Sequence, residues 1–221
     1  MERLTRVSLL PHSLPTDLSR RLGRTVARTG LSPNALTVIG LIGTAGAATL
    51  AAFGEFWQAG LVMLAAGAFD LLDGAVARAT NTASDFGAVF DAVSDRLADF
   101  AMLFALLIWF TGSGRFDREA VILVAVTISG SMLVSYTRSK AGEYGVVIRE
   151  GLGTRFERMV ILAIGLFADE VVAVLWILAV LTNLTALQRL GFTWWALRQP
   201  DDVPPDPPEP SDDPQQTPAE R

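Results

Sequence analysis

The sequence predicts an all-α protein that crosses a membrane several times. Hydrophobic residues make up 51% of the 221 residues and charged residues only 19%, and the mean hydropathy is +0.39. Charge is concentrated at the two ends and in a few loops, so long uncharged runs lie between them. Because about 20 apolar residues match the hydrocarbon thickness of a bilayer, this pattern is typical of an integral membrane protein.

Six uncharged runs mark the predicted membrane helices. Some runs are near spanning length by themselves, whereas the second, third and fifth reach it only when charged residues are included. Those residues are aspartates in the second and third segments and arginines in the fifth, which predicts a polar cavity there. The predicted transmembrane helices cover residues 34–53, 57–80, 85–110, 119–142, 153–169 and 171–195.

The N-terminal segment, residues 1–30, is predicted to lie against the membrane rather than within it. Residues 16–29 place Leu18, Leu22 and Val26 on one side of a helix with arginines around them. This pattern predicts an interfacial amphipathic helix held by anionic headgroups. A basic segment that only sets the topology is an equally adequate interpretation.

The C-terminal segment, residues 199–221, has a different composition from the rest. It holds eight of the eleven prolines and seven acidic residues against one arginine. Such a segment cannot bury a hydrophobic core, which predicts a disordered tail. Residues 31–198 are then the membrane domain.

The distribution of arginine predicts the orientation. Arginines precede the first predicted span, and basic residues also flank the connection between the fourth and fifth helices. The opposite side carries only Arg115 and Arg118. Because basic loops stay in the cytoplasm, both termini and the 80–86 loop are predicted to be cytoplasmic.

Four aspartates beside the 80–86 loop form the candidate site. Asp70 and Asp73 are three residues apart and Asp91 and Asp95 are four apart, so each pair lies on one helix face. The pairs converge if the two helices form an antiparallel hairpin. Charged side chains at membrane depth cost ~2.5–3.5 kcal/mol each on insertion scales, so the cluster requires a cation or a water-filled cavity. Intramembrane salt bridging is the alternative, but Arg78 and Arg96 cannot neutralise these four acids together with Asp99.

The available ligands favour Mg²⁺ or Mn²⁺. The chain has no cysteine and its only histidine, His12, lies far from the aspartates along the sequence. Hard carboxylate oxygens suit these ions, and two ions bridged by carboxylates clamp the attacking and leaving oxygens of a displacement at phosphorus. Gly74 and Gly87 leave room for a nucleotide and Arg78 offers a fork to phosphate, although close helix packing explains the glycines equally well.

The aspartate segment resembles the signature of the CDP-alcohol phosphotransferase family, D-x2-D-G-x2-A-R-x8-G-x3-D-x3-D, and the resemblance extends over roughly residues 30–195. The eight specified positions are filled by Asp70, Asp73, Gly74, Ala77, Arg78, Gly87, Asp91 and Asp95. The resemblance implies an enzyme that transfers a phosphatidyl-type group from a CDP-linked donor, such as CDP-diacylglycerol, to an alcohol and releases CMP. It also implies a homodimer.

The resemblance implies roles for individual residues. Asp70, Asp73 and Asp91 would hold the metal ions, with Asp95 as a further ligand or as the general base. The implied donor-binding residues are Asn34, Thr37, Asp70, Asp73, Gly74, Ala77, Arg78 and Gly87. Pro33 as a helix-start residue is an adequate explanation of the segment around Asn34.

Two further stretches, Ser135–Glu143 and Arg155–Arg158, resemble the family members that accept inositol 1-phosphate, the phosphatidylinositol phosphate synthases and their archaeal relatives. The resemblance implies a pocket for the acceptor's phosphate, formed by Ser135, Arg138, Arg155, Arg158 and Arg189. Arginines that only set the topology are the alternative.

Other functions stay open at this point. Glycerol 3-phosphate as acceptor would give phosphatidylglycerol phosphate, and an archaetidylinositol phosphate type of enzyme would use an ether-linked donor. A cation channel or transporter also lines its path with acids, but it does not need the glycine, alanine and arginine spacing of the signature. Nucleic acid is not among the expected partners, which are the CDP-lipid, a phosphorylated alcohol and membrane lipids.

Overall fold

The computed structural model describes residues 25–28, 30–80, 82, 84–148 and 153–198, with the backbone alone at position 71. In this part of the chain the secondary structure is helical, without strands. Six long helices carry the fold, which we number α1 Pro33–Ala52, α2 Phe56–Thr80, α3 Asp85–Thr111, α4 Arg118–Glu143, α5 Arg155–Ala168 and α6 Val171–Ala196.

The sequence-based helices are confirmed as helices. Each predicted boundary lies within two residues of the observed one, and the fifth helix, predicted at 153–169, differs most. The predicted amphipathic helix lies largely outside the described residues, where only 25–28 belong to it and 25–27 are helical. The predicted disordered tail, 199–221, also lies outside them.

Local capping explains where four helices begin. Ser32 accepts a hydrogen bond from the Ala35 N–H at 3.2 Å, with proline in the first turn of α1. Ser84 caps α3 and Asp117 caps α4 in the same way. At α5, Thr154 and Glu157 form a reciprocal capping box. These side chains satisfy backbone N–H groups that have no partner within the helix.

The six helices alternate in direction, so one end of the bundle collects the polar residues. Thr37 near the start of α1 contacts Asp73 near the end of α2, and Arg155 at the start of α5 contacts both α2 and α3. At the other end, the start of α2 meets the end of α3 through Phe56 and Trp109. The described chain therefore begins and ends at the polar end.

Small residues allow the helices to approach closely. α1 packs against α2 and α3, α4 packs against α6, and α5 contacts α2 and α6. A Cβ added at Gly43 of α1 would lie 3.0 Å from the Ala66 Cβ of α2, and one at Gly130 of α4 would collide with Thr182 of α6. Close packing of small residues is the usual source of stability between membrane helices.

Four of the described helices are long and apolar enough to cross a membrane: α1, α2, α4 and α6. The charged first half of α3 excludes it by composition, and the 14 residues of α5 span only ~21 Å at 1.5 Å per residue. Large hydrophobic side chains also face outward from the bundle, including Ile42, Phe104, Ile177 and Leu184. The chain is therefore a membrane protein, with four helices assigned as spans by length and composition.

Gly130 provides a test of this packing. We expect Gly130→Ala to lower the melting temperature in detergent, because the added methyl meets the buried Thr182 and overpacking typically costs ~1–3 kcal/mol. Gly46→Ala is the matched control, since a Cβ there meets nothing within 4 Å. Equal melting temperatures for the two variants would contradict the observed contact between α4 and α6.

Candidate active site

Three aspartates from two helices form a compact acidic cluster at the polar end. Asp70 of α2 and Asp91 and Asp95 of α3 each offer a carboxylate oxygen, and these oxygens lie within 4.8 Å of one another. The predicted hairpin packing is not observed, because α2 and α3 pack mainly against α1 and little against each other. Their carboxylates still meet, because Asp70 is in the second half of α2 and Asp91 and Asp95 are one turn apart near the start of the antiparallel α3. We refer to these three residues as the acidic cluster.

Asp73 has a different environment. It is buried, and its Oδ2 accepts a hydrogen bond from Thr37 Oγ1 at 2.7 Å. This contact ties α2 to the first turns of α1, where Thr37 also approaches the carbonyl of Pro33. Asp73 is therefore next to the acidic cluster but already has a neutral hydrogen-bond partner from α1.

Arg155 provides the positive charge within the acidic cluster. Its Nη1 lies 2.5 Å from Asp70 Oδ2 and 2.7 Å from Asp95 Oδ1. From the sequence, Arg155 was expected in the acceptor pocket, and only Arg78 and Arg96 were counted as counter-charges to the aspartates. The structure adds a third cation, which joins residues 85 positions apart in sequence. Partly buried acids in a membrane protein are unfavourable without such a partner.

Asp99 and Arg158 form a second ion pair, which the sequence analysis did not predict. Asp99 Oδ2 pairs with Arg158 Nη2 and also accepts a hydrogen bond from Ser131 Oγ at 3.3 Å. Arg158 Nη1 donates to the carbonyl of Gly153 at 2.9 Å. The sequence feature that pointed to Asp99 was its spacing, because it follows Asp91 and Asp95 at the same interval of four residues and so lies on the same helix face.

Arg189 of α6 is buried, with only 7% of its surface exposed. Its Nη1 donates to the carbonyl of Val134 at 2.9 Å, but its buried Nε has no hydrogen-bond partner among the described residues. The charges that act on it are repulsive and come from Arg96, Arg138 and Arg158. Of the remaining predicted acceptor residues, Ser135 is half-buried next to Val134 and Arg138 is exposed.

The predicted donor-binding residues lie around the same end of the bundle. Asn34 is exposed at the start of α1, and its Oδ1 lies 3.5 Å from where a Cβ of Gly87 would be. Gly74 similarly faces the Arg78 guanidinium, since its added Cβ would lie 3.3 Å from Arg78 Nη1. Both glycines therefore make room for neighbouring polar side chains. Ala77 is half-buried on the same helix.

A cavity lies between the acidic cluster and the apolar interior. It contains about 540 Å³ of empty space, part of it open to the outside. The charged groups in its wall are Asp99, Arg155 and Arg158, with Ser131 beside them, and methionine and leucine side chains form much of the rest.

A model of the CDP-alcohol phosphatidyltransferase family matches residues 30–195. The chain belongs to this family. It is therefore a transferase enzyme that acts on CDP-alcohols, and the family resemblance drawn from the sequence signature is confirmed.

Curated relatives narrow the comparison within the family. The chain is 31% identical over 201 residues to a phosphatidylinositol phosphate synthase of Mycobacterium tuberculosis, covering 86% of this chain and 92% of the relative. It is 37% identical over 177 residues to an archaetidylinositol phosphate synthase of Pyrococcus horikoshii, covering 77% and 87%.

Solved structures of the Mycobacterium tuberculosis phosphatidylinositol phosphate synthase share the fold. The form with CDP-DAG bound superposes with a TM-score of 0.73 at 30% identity, over 80% of this chain and 94% of that one. The complex with manganese and citrate has the same TM-score and identity over 80% and 88%.

The acidic cluster fits a divalent cation. Three carboxylates converge, and the buried Asp95 Oδ1 has no hydrogen bond of suitable geometry from the described residues despite its ion pair with Arg155. Such hard oxygen ligands suit Mg²⁺ or Mn²⁺. Together with the manganese complex of the relative, the cluster indicates that this enzyme uses a divalent metal.

Asp91 tests the metal assignment. Asp91→Asn keeps the side-chain size but removes a ligand charge, so we expect Mn²⁺ affinity, measured by titration without substrates, to fall at least tenfold. Turnover at a fixed metal concentration should fall by orders of magnitude. Asp169→Asn is the control, because that exposed residue caps α5 at the opposite end. Near-normal Mn²⁺ affinity in Asp91→Asn would show that the cluster does not bind the ion.

Proposed function

We propose that this enzyme transfers the phosphatidyl group of CDP-diacylglycerol to inositol 1-phosphate, releasing CMP and forming phosphatidylinositol phosphate. The relatives named for this product support the choice of acceptor. The observation that carries it is the buried Arg189, whose Nε has no hydrogen-bond partner among the described residues and whose charge is repelled by Arg96, Arg138 and Arg158.

A buried guanidinium that has no paired acid among the described residues is stabilised when an anion binds to it. Leaving one of its N–H groups without a partner typically costs ~1–3 kcal/mol, and the nearby like charges add repulsion. A phosphate supplies both acceptor oxygens and negative charge, and arginine matches it in a planar, charge-assisted arrangement. We therefore assign the acceptor phosphate to Arg189 with Arg138 and Ser135, and assign supporting charge to Arg155 and Arg158.

The metal is proposed to be Mg²⁺ or Mn²⁺, with two ions held by Asp70, Asp73, Asp91 and Asp95. When bound, the ions neutralise the pyrophosphate and stabilise the attacking and leaving oxygens. Arg155 neutralises Asp70 and Asp95 and also lines the cavity, so its charge is shared between the proposed metal ligands and the proposed acceptor side.

Asp95 is proposed as the general base. It sits one turn beyond Asp91 on α3, on the side that leads to Asp99 and the cavity. A base must reach the hydroxyl that attacks phosphorus, and Asp95 has the proposed metal ligand Asp91 one turn before it and Asp99, which lines the cavity, one turn after it. Arg155 stabilises the ionised carboxylate that accepts the proton.

The CDP group of the donor is proposed to lie on the opposite side of the acidic cluster, where α1 starts and α2 ends. Asn34 and Thr37 are at the start of α1, and Arg78 is an exposed cation on the last turn of α2. Gly74, Ala77 and Gly87 have no side chain beyond a methyl group, and this would leave room for the nucleotide. Asp70 and Asp73 would then hold the metal ions that contact the pyrophosphate of the donor.

The proposal extends to the arrangement in the membrane. All six helices cross or enter the bilayer, with both termini and the active site cytoplasmic, and two copies form a homodimer. The domain division is an interfacial segment 1–30, a membrane domain 31–198 and a tail 199–221. In support, the described helices begin and end at the polar end of the bundle, and arginines are concentrated in the connections there.

The acceptor is tested directly with purified enzyme, CDP-diacylglycerol and Mg²⁺. Inositol 1-phosphate, free inositol, glycerol 3-phosphate and serine are offered in parallel, and CMP release and the lipid product are measured. We expect inositol 1-phosphate to be used with the highest kcat/KM. Preference for glycerol 3-phosphate would make phosphatidylglycerol phosphate the product. Preference for free inositol would contradict the assignment of a phosphate-binding pocket. An ether-linked donor offered beside the ester-linked one tests the archaetidylinositol alternative.

Arg189 tests the pocket itself. We expect Arg189→Gln to raise the KM for inositol 1-phosphate roughly ten- to hundredfold, which corresponds to losing a charge-assisted contact of ~1.5–3 kcal/mol. The KM for the CDP-lipid should change little. Arg198→Gln is the matched control, because it removes one charge beyond the end of the same helix, where Arg198 stacks on Trp194. Equal acceptor curves for both variants would mean that Arg189 has only a structural role.

A further inference from the structure

We propose that Asp99 determines acceptor specificity by accepting a hydrogen bond from a hydroxyl group of a polyol phosphate. This inference rests on the proposed function and adds a residue to it. One carboxylate oxygen of Asp99 fixes Arg158, and the other is turned to the acceptor. The family signature ends at Asp95, so Asp99 lies one helical turn beyond it.

The position of Asp99 follows from the geometry of α3. Asp91, Asp95 and Asp99 recur every four residues and so lie along one face of the helix. The first two belong to the acidic cluster, whereas Asp99 contacts Arg158 of α5 and Ser131 of α4. Asp99 therefore has partners of its own on α4 and α5, although it shares Arg155 with the proposed metal ligands Asp70 and Asp95.

The two oxygens of Asp99 are used unequally. Oδ2 receives both Arg158 Nη2 and Ser131 Oγ. Oδ1 lies 3.8 Å from Arg155 Nε, which is beyond hydrogen-bond distance, and no other described residue is seen to donate to it. A carboxylate oxygen has lone pairs for two hydrogen bonds. Oδ1 is therefore available to a hydroxyl donor.

Asp99 also lines the cavity of about 540 Å³ together with Ser131, Arg155 and Arg158. A carboxylate beside a phosphate pocket repels the phosphate, which makes it a liability for an acceptor with a single hydroxyl. For a polyol phosphate, the same carboxylate accepts a hydrogen bond and fixes the orientation of the ring or chain. Few polar groups in an otherwise apolar wall are what set ligand orientation.

We expect Asp99 to make the enzyme prefer acceptors that carry an additional hydroxyl group. A site built to bind a substrate hydroxyl disfavours an analogue that lacks it, because the polar group of the site then loses its partner. The analogue here is 3-hydroxypropyl phosphate, which keeps the phosphate and the reacting hydroxyl but has no other hydroxyl. Its kcat/KM, or its inhibition constant where turnover is too slow, is compared with that of inositol 1-phosphate.

We expect the wild-type enzyme to favour inositol 1-phosphate over 3-hydroxypropyl phosphate and Asp99→Asn to reduce this preference at least tenfold. The KM for CDP-diacylglycerol and the Mn²⁺ affinity should remain unchanged, which a general structural defect would not allow. Arg158→Gln is the matched control, since it removes the other half of the ion pair and should weaken both acceptors equally. Asp99→Glu, which keeps the charge but displaces it by one methylene, should give an intermediate preference and replaces Asp99→Asn if that variant is too unstable to purify.

An unchanged preference in Asp99→Asn, or one that falls equally in Arg158→Gln, would overturn the assignment, because Asp99 would then act only by holding Arg158. The failure of the proposed function looks different. If the wild-type enzyme prefers glycerol 3-phosphate, inositol 1-phosphate is rejected as the natural acceptor. Glycerol 3-phosphate also carries a second hydroxyl. The enzyme's preference for it over 3-hydroxypropyl phosphate, compared between wild type and Asp99→Asn, then tests the role of Asp99 in the same way.

Discussion

The burial of carboxylates at one end of a membrane bundle is the constraint on which the rest of this structure depends. Each such group costs ~2.5–3.5 kcal/mol at membrane depth unless it is paired. Arg155 supplies the pairing from α5 by contacting Asp70 and Asp95 at once. This requires α5 to begin where it does, and the capping box of Thr154 and Glu157 fixes that start. The local sequence before α5 thus has a direct effect on a site formed mainly by α2 and α3.

The charges then divide into two neighbouring regions. The acidic cluster of Asp70, Asp91 and Asp95 attracts cations, whereas the surroundings of Arg189 attract anions. Arg155 contacts the first region and also lines the cavity, where Arg158 is a second cation. Under the proposed function, the donor's phosphates would contact the first region through bound metal ions, and the acceptor's phosphate would contact the arginines of the second region directly.

Much of this could be predicted from the sequence because it depends on local spacing. Helix positions follow from hydropathy, and the convergence of Asp70 with Asp91 and Asp95 follows from aspartate pairs near the ends of consecutive antiparallel helices, although these helices pack mainly against α1. The ion pairs of Arg155 could not be predicted, since they join segments 85 residues apart and depend on how α5 packs. The hydrogen bond between Thr37 and Asp73 was missed for the same reason. Asp99 was visible in the four-residue spacing, but its partners on α4 and α5 were not.

The arginines at the polar end are consequently not equivalent, although their positions along the sequence make them look so. Arg155 and Arg158 are each paired with aspartates, so their charge is largely compensated within the protein. Arg189 donates to the carbonyl of Val134, its Nε has no hydrogen-bond partner in the described part of the chain, and three other arginines repel its charge. A topological role would be satisfied by exposed arginines at the membrane surface, where water solvates them. Arg189 is instead buried near other arginines, with its Nε unpaired among the described residues, and this position supports the proposal of a phosphorylated acceptor.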